Sequence, residues 1–367
     1  MRAGFFLPLT ASLLLAACSP PEPIRLGFIG GLTGRVADLG EAGRNGFQLA
    51  VEQANAAGGV GGRKIEILVK DDTQDPAKAK RAAEELVAAK VAAIIGPMTS
   101  AMAEPVLAAA TAGGITVISP TATSTALTGK DDLFLRVTSD TSNYASLSAR
   151  YQFTKNAVRS VAIAYDARNR AYTAGWLADF RKTFVELGGT ISAEIVFESG
   201  DATDHAALIK QMLTSKPDAF LFISGAVDTA RFAQQASQLK AGQKLIGVEW
   251  SATERLIELG GKAVDGLYVT QFFDREDKSP AYQTFRQAYE KRFQQLPGFA
   301  SVGAYDATRA TLEAIGRGKN GESLKQTLLE RGPFVGVQQP IRLDRFGDAQ
   351  RRAFITTIRD GRFVAIE

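Results

Sequence analysis

Histidine and cysteine are nearly absent from this chain: His205 is the only histidine and Cys18 the only cysteine among 367 residues. The lone histidine falls in a predicted surface helix, which leaves no His-based metal site and no Ser-His triad, so catalysis is not expected. With a single cysteine no intramolecular disulfide forms, and stability has to come from packing. The chain also has no long basic run. Its net charge of +4 is spread evenly, which argues against nucleic acid as a partner. Gly30-Gly31-Leu32-Thr33-Gly34 lies between a strand-like and a helix-like segment, but without G-x-G-x-x-G spacing or a partner acid it does not make a dinucleotide site. Asp71 and Asp72 form an acidic pair with no further oxygen ligands nearby, which fits a turn and cap rather than a metal. No cofactor is implied. Beyond residue 17 no hydrophobic run approaches membrane-spanning length.

What is present begins at the N-terminus. Arg2 supplies a positive start, residues 5–17 carry no charge, and Leu15-Ala16-Ala17-Cys18 reads as a lipobox. The run is shorter than the roughly 20 apolar residues of a spanning helix. Residues 1–17 are therefore expected to be a signal peptide, cleaved before a lipidated Cys18, with residues 18–23 (Ser19-Pro20-Pro21-Glu22-Pro23 after the cysteine) as a short stiff tether. The expected location is the periplasm or cell surface, anchored to a membrane by lipid.

The remaining 350 residues, in a chain 45% hydrophobic and 22% charged, exceed the usual size of one core. Short apolar β-rich runs alternate with longer amphipathic segments, the pattern of parallel sheets covered by helices on both faces. Strands are expected at 24–29, 64–70, 91–95, 115–119, 160–165, 191–197, 219–223, 244–248 and 266–272, and β-like tail runs at 339–343 and 353–358. Helices are expected at 42–56, from Asp75-Pro76 to 90, at 172–187, 280–295, 302–317 and 322–331. The stripe Trp176, Phe180, Phe184 and Leu187 reads as core. Two α/β blocks meet near Thr138 with no flexible linker, so the fold class is α/β: two Rossmann-like lobes with a ligand cleft between them and three hinge crossovers, near 137–140, 269–273 and 343–347. The expected boundaries are 24–138 plus 271–343 for lobe 1 and 139–270 plus 344–367 for lobe 2.

Open α/β sheets bind ligands beyond the carboxyl ends of their strands. There, Gly96-Pro97-Met98-Thr99-Ser100 and Pro120-Thr121-Ala122-Thr123-Ser124 place hydroxyls and backbone N–H groups at strand ends, suited to a carboxylate. In the second block, Glu249-Trp250-Ser251 ends a strand, and the loop 165–172 runs from Tyr165 to Tyr172. An anion site on one lobe and an acid on the other suit a zwitterion that bridges the cleft.

With Gly31-Leu32-Thr33-Gly34, Ala56-Ala57-Gly58-Gly59-Val60-Gly61-Gly62, Asp71-Asp72-Thr73-Gln74-Asp75-Pro76, Ile95-Gly96-Pro97 and Ile118-Ser119-Pro120-Thr121-Ala122-Thr123, the chain resembles, from Ile24 to its C-terminus, the periplasmic leucine/isoleucine/valine-binding family. These are type I solute-binding receptors of ABC importers for branched-chain amino acids. The resemblance implies the type I periplasmic-binding-protein fold and a small amino acid-like ligand handed to a membrane permease on cleft closure. It also implies that Ser100, Thr121 and Thr123, with the intervening Ala122, hold the ligand carboxylate, that Glu249 holds the α-ammonium, and that Tyr172 lines the cleft. Departures from the family pattern are Leu39 and Ala226, where relatives carry tyrosines, and Arg168 and Arg170 on a rim loop. They keep an amide or aromatic acid open as ligand. The same fold also serves ligand-sensing subunits of membrane receptor kinases, without transport.

Overall fold

A computed structural model describes residues 21–366. The expected signal peptide and Cys18 lie outside the described residues. The first sheet is entirely parallel, ordered β2-β1-β3-β4-β5: β1 is Ile24–Gly30, β2 Ile65–Asp71, β3 Ala93–Ile95, β4 Thr116–Ser119 and β5 Phe134–Arg136. Between them run α1 (Ala37–Ala56), α2 (Pro76–Ala88) and α3 (Ala103–Ala112). Asp75 caps α2 by accepting from the Lys78 N–H at 2.9 Å, and Pro76 fills the first turn, where its missing N–H costs nothing.

The second sheet is ordered β12-β11-β10-β9-β8-β6-β7. It comprises β6 (Ser160–Asp166), β7 (Thr190–Phe197), β8 (Ala219–Ile223), β9 (Lys244–Gly247) and β10 (Tyr268–Gln271), parallel, closed by antiparallel β11 (Phe354–Arg359) and β12 (Arg362–Ala365). Its helices in chain order are α4 (Thr141–Thr154), α5 (Arg170–Glu186), α6 (His205–Leu213), α7 (Ala226–Gln238) and α8 (Glu254–Gly260). The chain then continues through α9 (Pro280–Phe293), α10 (Phe299–Arg317) and α11 (Leu324–Glu330) before the tail strands.

Helix α10 returns to the first sheet. It packs along α1 and over β3 and β4, so closely that a Cβ on Gly46 would lie 2.0 Å from the Ser301 carbonyl oxygen. The chain therefore crosses between sheets three times: after β5, between β10 and α9, and before β11. The crossings are tied together by buried polar groups. Arg351 donates from Nη2 to Asp306 Oδ2 of α10 at 2.8 Å and from Nε to the Val137 carbonyl, while its backbone N–H donates to Ser139 Oγ at 2.7 Å.

Four expectations need correction. The run at 339–343 is no strand, because its residues make only isolated bridges, Phe334 with Ile341 and Leu343 with Ala349. The third crossing lies later than 343–347, since the Gly347 carbonyl still accepts the Arg136 N–H of β5 at 3.0 Å. Strands β5 and β12 were unforeseen; each is three or four residues long and gains its place from sheet neighbours rather than from its own pattern. His205 is not on the surface. It starts α6 but is only 6% exposed, its ring set against Phe197 and Phe232, with Nδ1 3.0 Å from the Thr203 carbonyl and Nε2 2.9 Å from Asp228 Oδ1.

Candidate ligand cleft

Hydroxyl groups hold the loops after β3 and β4 against each other. Gly96 has a φ of +123°, and a Cβ there would sit 2.2 Å from the Ile29 carbonyl, so only glycine lets the chain turn off β3 at this point. Ser119 Oγ donates to the Pro97 carbonyl at 2.8 Å and accepts from the Ala122 N–H at 2.9 Å. Thr121 Oγ1 donates to the Met98 carbonyl at 2.6 Å, and Ser100 Oγ accepts the Thr123 and Ser124 N–H groups at 3.1 and 3.2 Å. Ser100 thus spends its lone pairs on the neighbouring loop and keeps its own hydrogen to donate. The hydroxyls of Thr99 and Thr123 are buried and have no partner among the described residues. Buried polar groups left this way cost about 1–3 kcal/mol each, which marks the patch as one that a ligand would complete.

The facing wall comes from the second sheet. Past β6, Asp166 caps the turn at Ala167–Asn169, and Asn169 Oδ1 accepts the Ala101 N–H from the opposite wall at 3.1 Å. Tyr172, in the first turn of α5, is buried edge-on against Trp250, with ring centroids 5.6 Å apart. Past β9, Glu249 opens a short 3₁₀ turn and is 5% exposed. Its Oε2 accepts from Trp176 Nε1 at 3.0 Å, whereas Oε1 has no partner among the described residues. Burial pushes its carboxyl up to about 7, against the lowering effect of its backbone and Trp176 hydrogen bonds. The Tyr172 hydroxyl is likewise unpartnered, yet near enough that burial and the Glu249 charge together hold it well above the ordinary tyrosine range.

These two walls face each other across a narrow cleft that Leu39, Met98, Thr138, Trp250, Phe272 and Phe299 also line. It has a hydroxyl-rich end, an acidic end and an apolar flank. Three ties cross the mouth: Asn169 with Ala101, Arg35 with Asp228 at 3.4 Å and Asp201 at 3.3 Å, and Asp38 with the Thr253 hydroxyl.

Of the residues expected at the site, Ser100, Thr121, Thr123, Tyr172 and Glu249 line this one cavity. Ala122 does not; its N–H is committed to Ser119 and its methyl packs in the core behind the loop. Leu39 lines the apolar flank, whereas Ala226 is buried at the start of α7 and is not among the lining residues. Arg168 and Arg170 are exposed, and Arg168 is turned to the Ser199 carbonyl. Asp71 serves a turn, accepting from the Leu32 and Thr73 N–H groups and the Thr33 hydroxyl. Sequence reasoning missed Thr99, Thr138, Asn169, Phe272 and Phe299. Thr99 sat inside a motif already singled out; Phe272 and Phe299 reach the cleft only because a crossing carries them there.

The periplasmic binding protein model matches residues 23–362. A Leu/Ile/Val-binding protein of Rhizobium johnstonii, BraC3, is 27% identical over 355 residues, covering 94% of this chain and 95% of the relative. Among solved structures, the branched-chain amino acid transporter substrate-binding protein LivJ of Streptococcus pneumoniae, in complex with isoleucine, superposes with a TM-score of 0.86 at 27% identity, covering 94% of this chain and 98% of that one. A solute-binding protein of an ABC transporter from Rhodopseudomonas palustris, in complex with 3,4-dihydroxybenzoic acid, gives 0.83 at 26% identity over 94% and 96%. With a match that spans both sheets and all three crossings, the chain belongs to the periplasmic binding protein family.

Proposed function

We propose that this protein is an extracytoplasmic receptor that captures an aliphatic α-amino acid and delivers it to an ABC importer. The observation that carries the reading is the pairing of ends in one cavity: the Thr99, Ser100 and Thr123 hydroxyls on one wall and the buried Glu249 Oε1 on the other. A carboxylate completes the first and an ammonium the second, while Leu39, Met98, Phe272 and Phe299 offer an apolar side chain no polar partner. The first sheet with α9–α11 and the second sheet with α4–α8 are the bodies that close on the ligand. A ligand touching both favours the closed form, and only such differential contact shifts the balance.

The dihydroxybenzoate-bound relative motivates a second reading, an aromatic acid, and pH separates the two. A zwitterion pairs with ionised Glu249, so its affinity rises about tenfold per pH unit up to about 7 and is flat above. An aromatic acid carries no cation and prefers the protonated carboxyl, so its affinity falls as pH passes 7. Calorimetry with leucine and with 3,4-dihydroxybenzoate between pH 5 and 9 reads the difference; flat profiles for both would remove Glu249 from the site. In the unliganded chain the same group works the other way. Its folded value is raised from 4.5, so the fold holds the proton more tightly than the unfolded chain, and stability falls as pH rises from about 4.5 through about 7.

The lipobox at Leu15-Ala16-Ala17-Cys18 supports a lipid anchor on this receptor. Replacing Cys18 by Ala is expected to move the protein from the membrane fraction to the soluble one; retention on the membrane would overturn the anchor.

A further inference from the structure

Trp176 belongs by sequence to the apolar stripe of α5, yet its indole N–H meets Glu249, which lines the cleft. The residue is fully buried and stacks on Phe180 with centroids 5.6 Å apart and planes 16° apart, and Phe180 in turn stacks on Phe184 at 5.2 Å and 20°. This three-ring column fixes the indole plane and hence the direction of its N–H, which meets Glu249 Oε2 at 3.0 Å. Indole is a donor only, so the bond favours a carboxylate oxygen and gives nothing to a carboxyl O–H. Ionised Glu249 is therefore left with one uncommitted oxygen, Oε1, inside the cavity.

Resting on the reading of Glu249 as the ammonium partner, we infer that Trp176 is a positioning residue of the cleft: its indole N–H holds one oxygen of Glu249, favours the charged form, and presents the other oxygen alone to the ligand cation. Of the other groups that face Glu249, the Tyr172 hydroxyl also favours the charged form, but it makes no hydrogen bond of normal geometry, so the indole N–H is the one fixed donor. Tyr172 and Tyr144 lie close enough for the carboxylate to raise their hydroxyls, and Tyr144 is itself tied to the Thr138 hydroxyl at 2.9 Å. The charged group felt on that side is Arg351, which acts on Tyr144 and is already paired with Asp306.

The test compares wild type, Trp176→Phe and Glu249→Gln. Phenylalanine keeps the ring in the stack and removes only the N–H. A hydrogen bond to a charged group is worth enough to move a carboxyl midpoint by about one to two pH units. Leucine affinity in Trp176→Phe is therefore expected to fall about tenfold or more at pH 7 and to approach wild type at pH 9, while 4-methylpentanoate, which lacks the ammonium, binds the variant as well as the wild type or better. A Glu249→Gln protein that loses leucine affinity, beside a Trp176→Phe protein that does not change at any pH, overturns the inference and leaves the ammonium reading standing. A Glu249→Gln protein with unchanged affinity overturns the ammonium reading. In that case the Glu249 midpoint, followed by carboxyl ¹³C NMR in wild type and Trp176→Phe, still decides the role of the indole: an upward shift sustains it and an unmoved midpoint refutes it. Should Trp176→Phe fail to fold, Trp250→Phe leaves Trp176 as the sole tryptophan. Its emission is then expected to titrate near pH 7 and to lose that step when Glu249→Gln is added; a step that persists refutes the contact.

Discussion

Glu249→Gln is expected to weaken the binding of a zwitterionic amino acid by about 2–5 kcal/mol, measured by calorimetry at pH 8, where the wild-type carboxyl is ionised. Glutamine fills the same space, and its side-chain oxygen can still accept from Trp176 Nε1. Its amide NH₂ then takes the place of Oε1 and sets a donor against the ligand's ammonium. The charge attraction is lost and an unfavourable contact replaces it, inside a site from which water is excluded. A ligand without an ammonium group escapes both penalties, so 4-methylpentanoate should bind the variant as well as the wild type or better. The pH profile should also flatten, because the group that titrates near 7 is gone. Equal leucine affinity in the two proteins would move the ammonium away from Glu249 altogether.

The same carboxylate illustrates what the sequence alone reveals. Strand-end position and a hydroxyl-rich partner loop in the other lobe pointed to Glu249 and to the loops 96–100 and 120–124, because they sit where open α/β sheets place their ligands; the family resemblance then implied Ser100, Thr121 and Thr123 within those loops. Thr121 shows the limit of that reasoning. The resemblance implies a ligand contact for its hydroxyl, but that hydroxyl donates to the Met98 carbonyl, while the neighbouring Thr99 hydroxyl has no partner among the described residues. Which of several threonines in a loop faces inward depends on backbone turns of a few degrees, which composition does not encode. His205 and Trp176 fail in opposite directions for one reason. Helical periodicity tells a buried face from an exposed one, and says nothing about a polar edge within a buried ring or about a histidine that an acid from another helix, Asp228, draws inside. Strands β5 and β12 were beyond reach because runs this short become strands only beside a neighbour that is already paired.

Asp306→Ala is expected to cost about 3–5 kcal/mol of folding stability, measured by urea unfolding of the unliganded protein at fixed pH. Asp306 is fully buried in α10, where Oδ2 accepts from Arg351 at 2.8 Å and Oδ1 accepts the Val337 N–H at 2.8 Å. Alanine would leave the Arg351 guanidinium, 1% exposed, without a counter-charge, and would orphan a buried backbone N–H as well. The size of the loss comes from that stranded cation more than from the pair itself. Exchanging both members for apolar residues of similar volume, Asp306→Leu with Arg351→Met, should therefore recover most of the stability. What the double variant should not recover is hinge geometry. Arg351 also donates to the Val137 carbonyl, and its backbone meets Ser139, so this one side chain joins the first and third crossings to the helix that packs on the first sheet. A stable double variant with altered ligand affinity would place the pair's value in fixing how the two sheets are joined. A stable double variant with unchanged affinity would confine it to the integrity of the fold. A single variant as stable as wild type would mean that water reaches Arg351 and that the pair is not sealed.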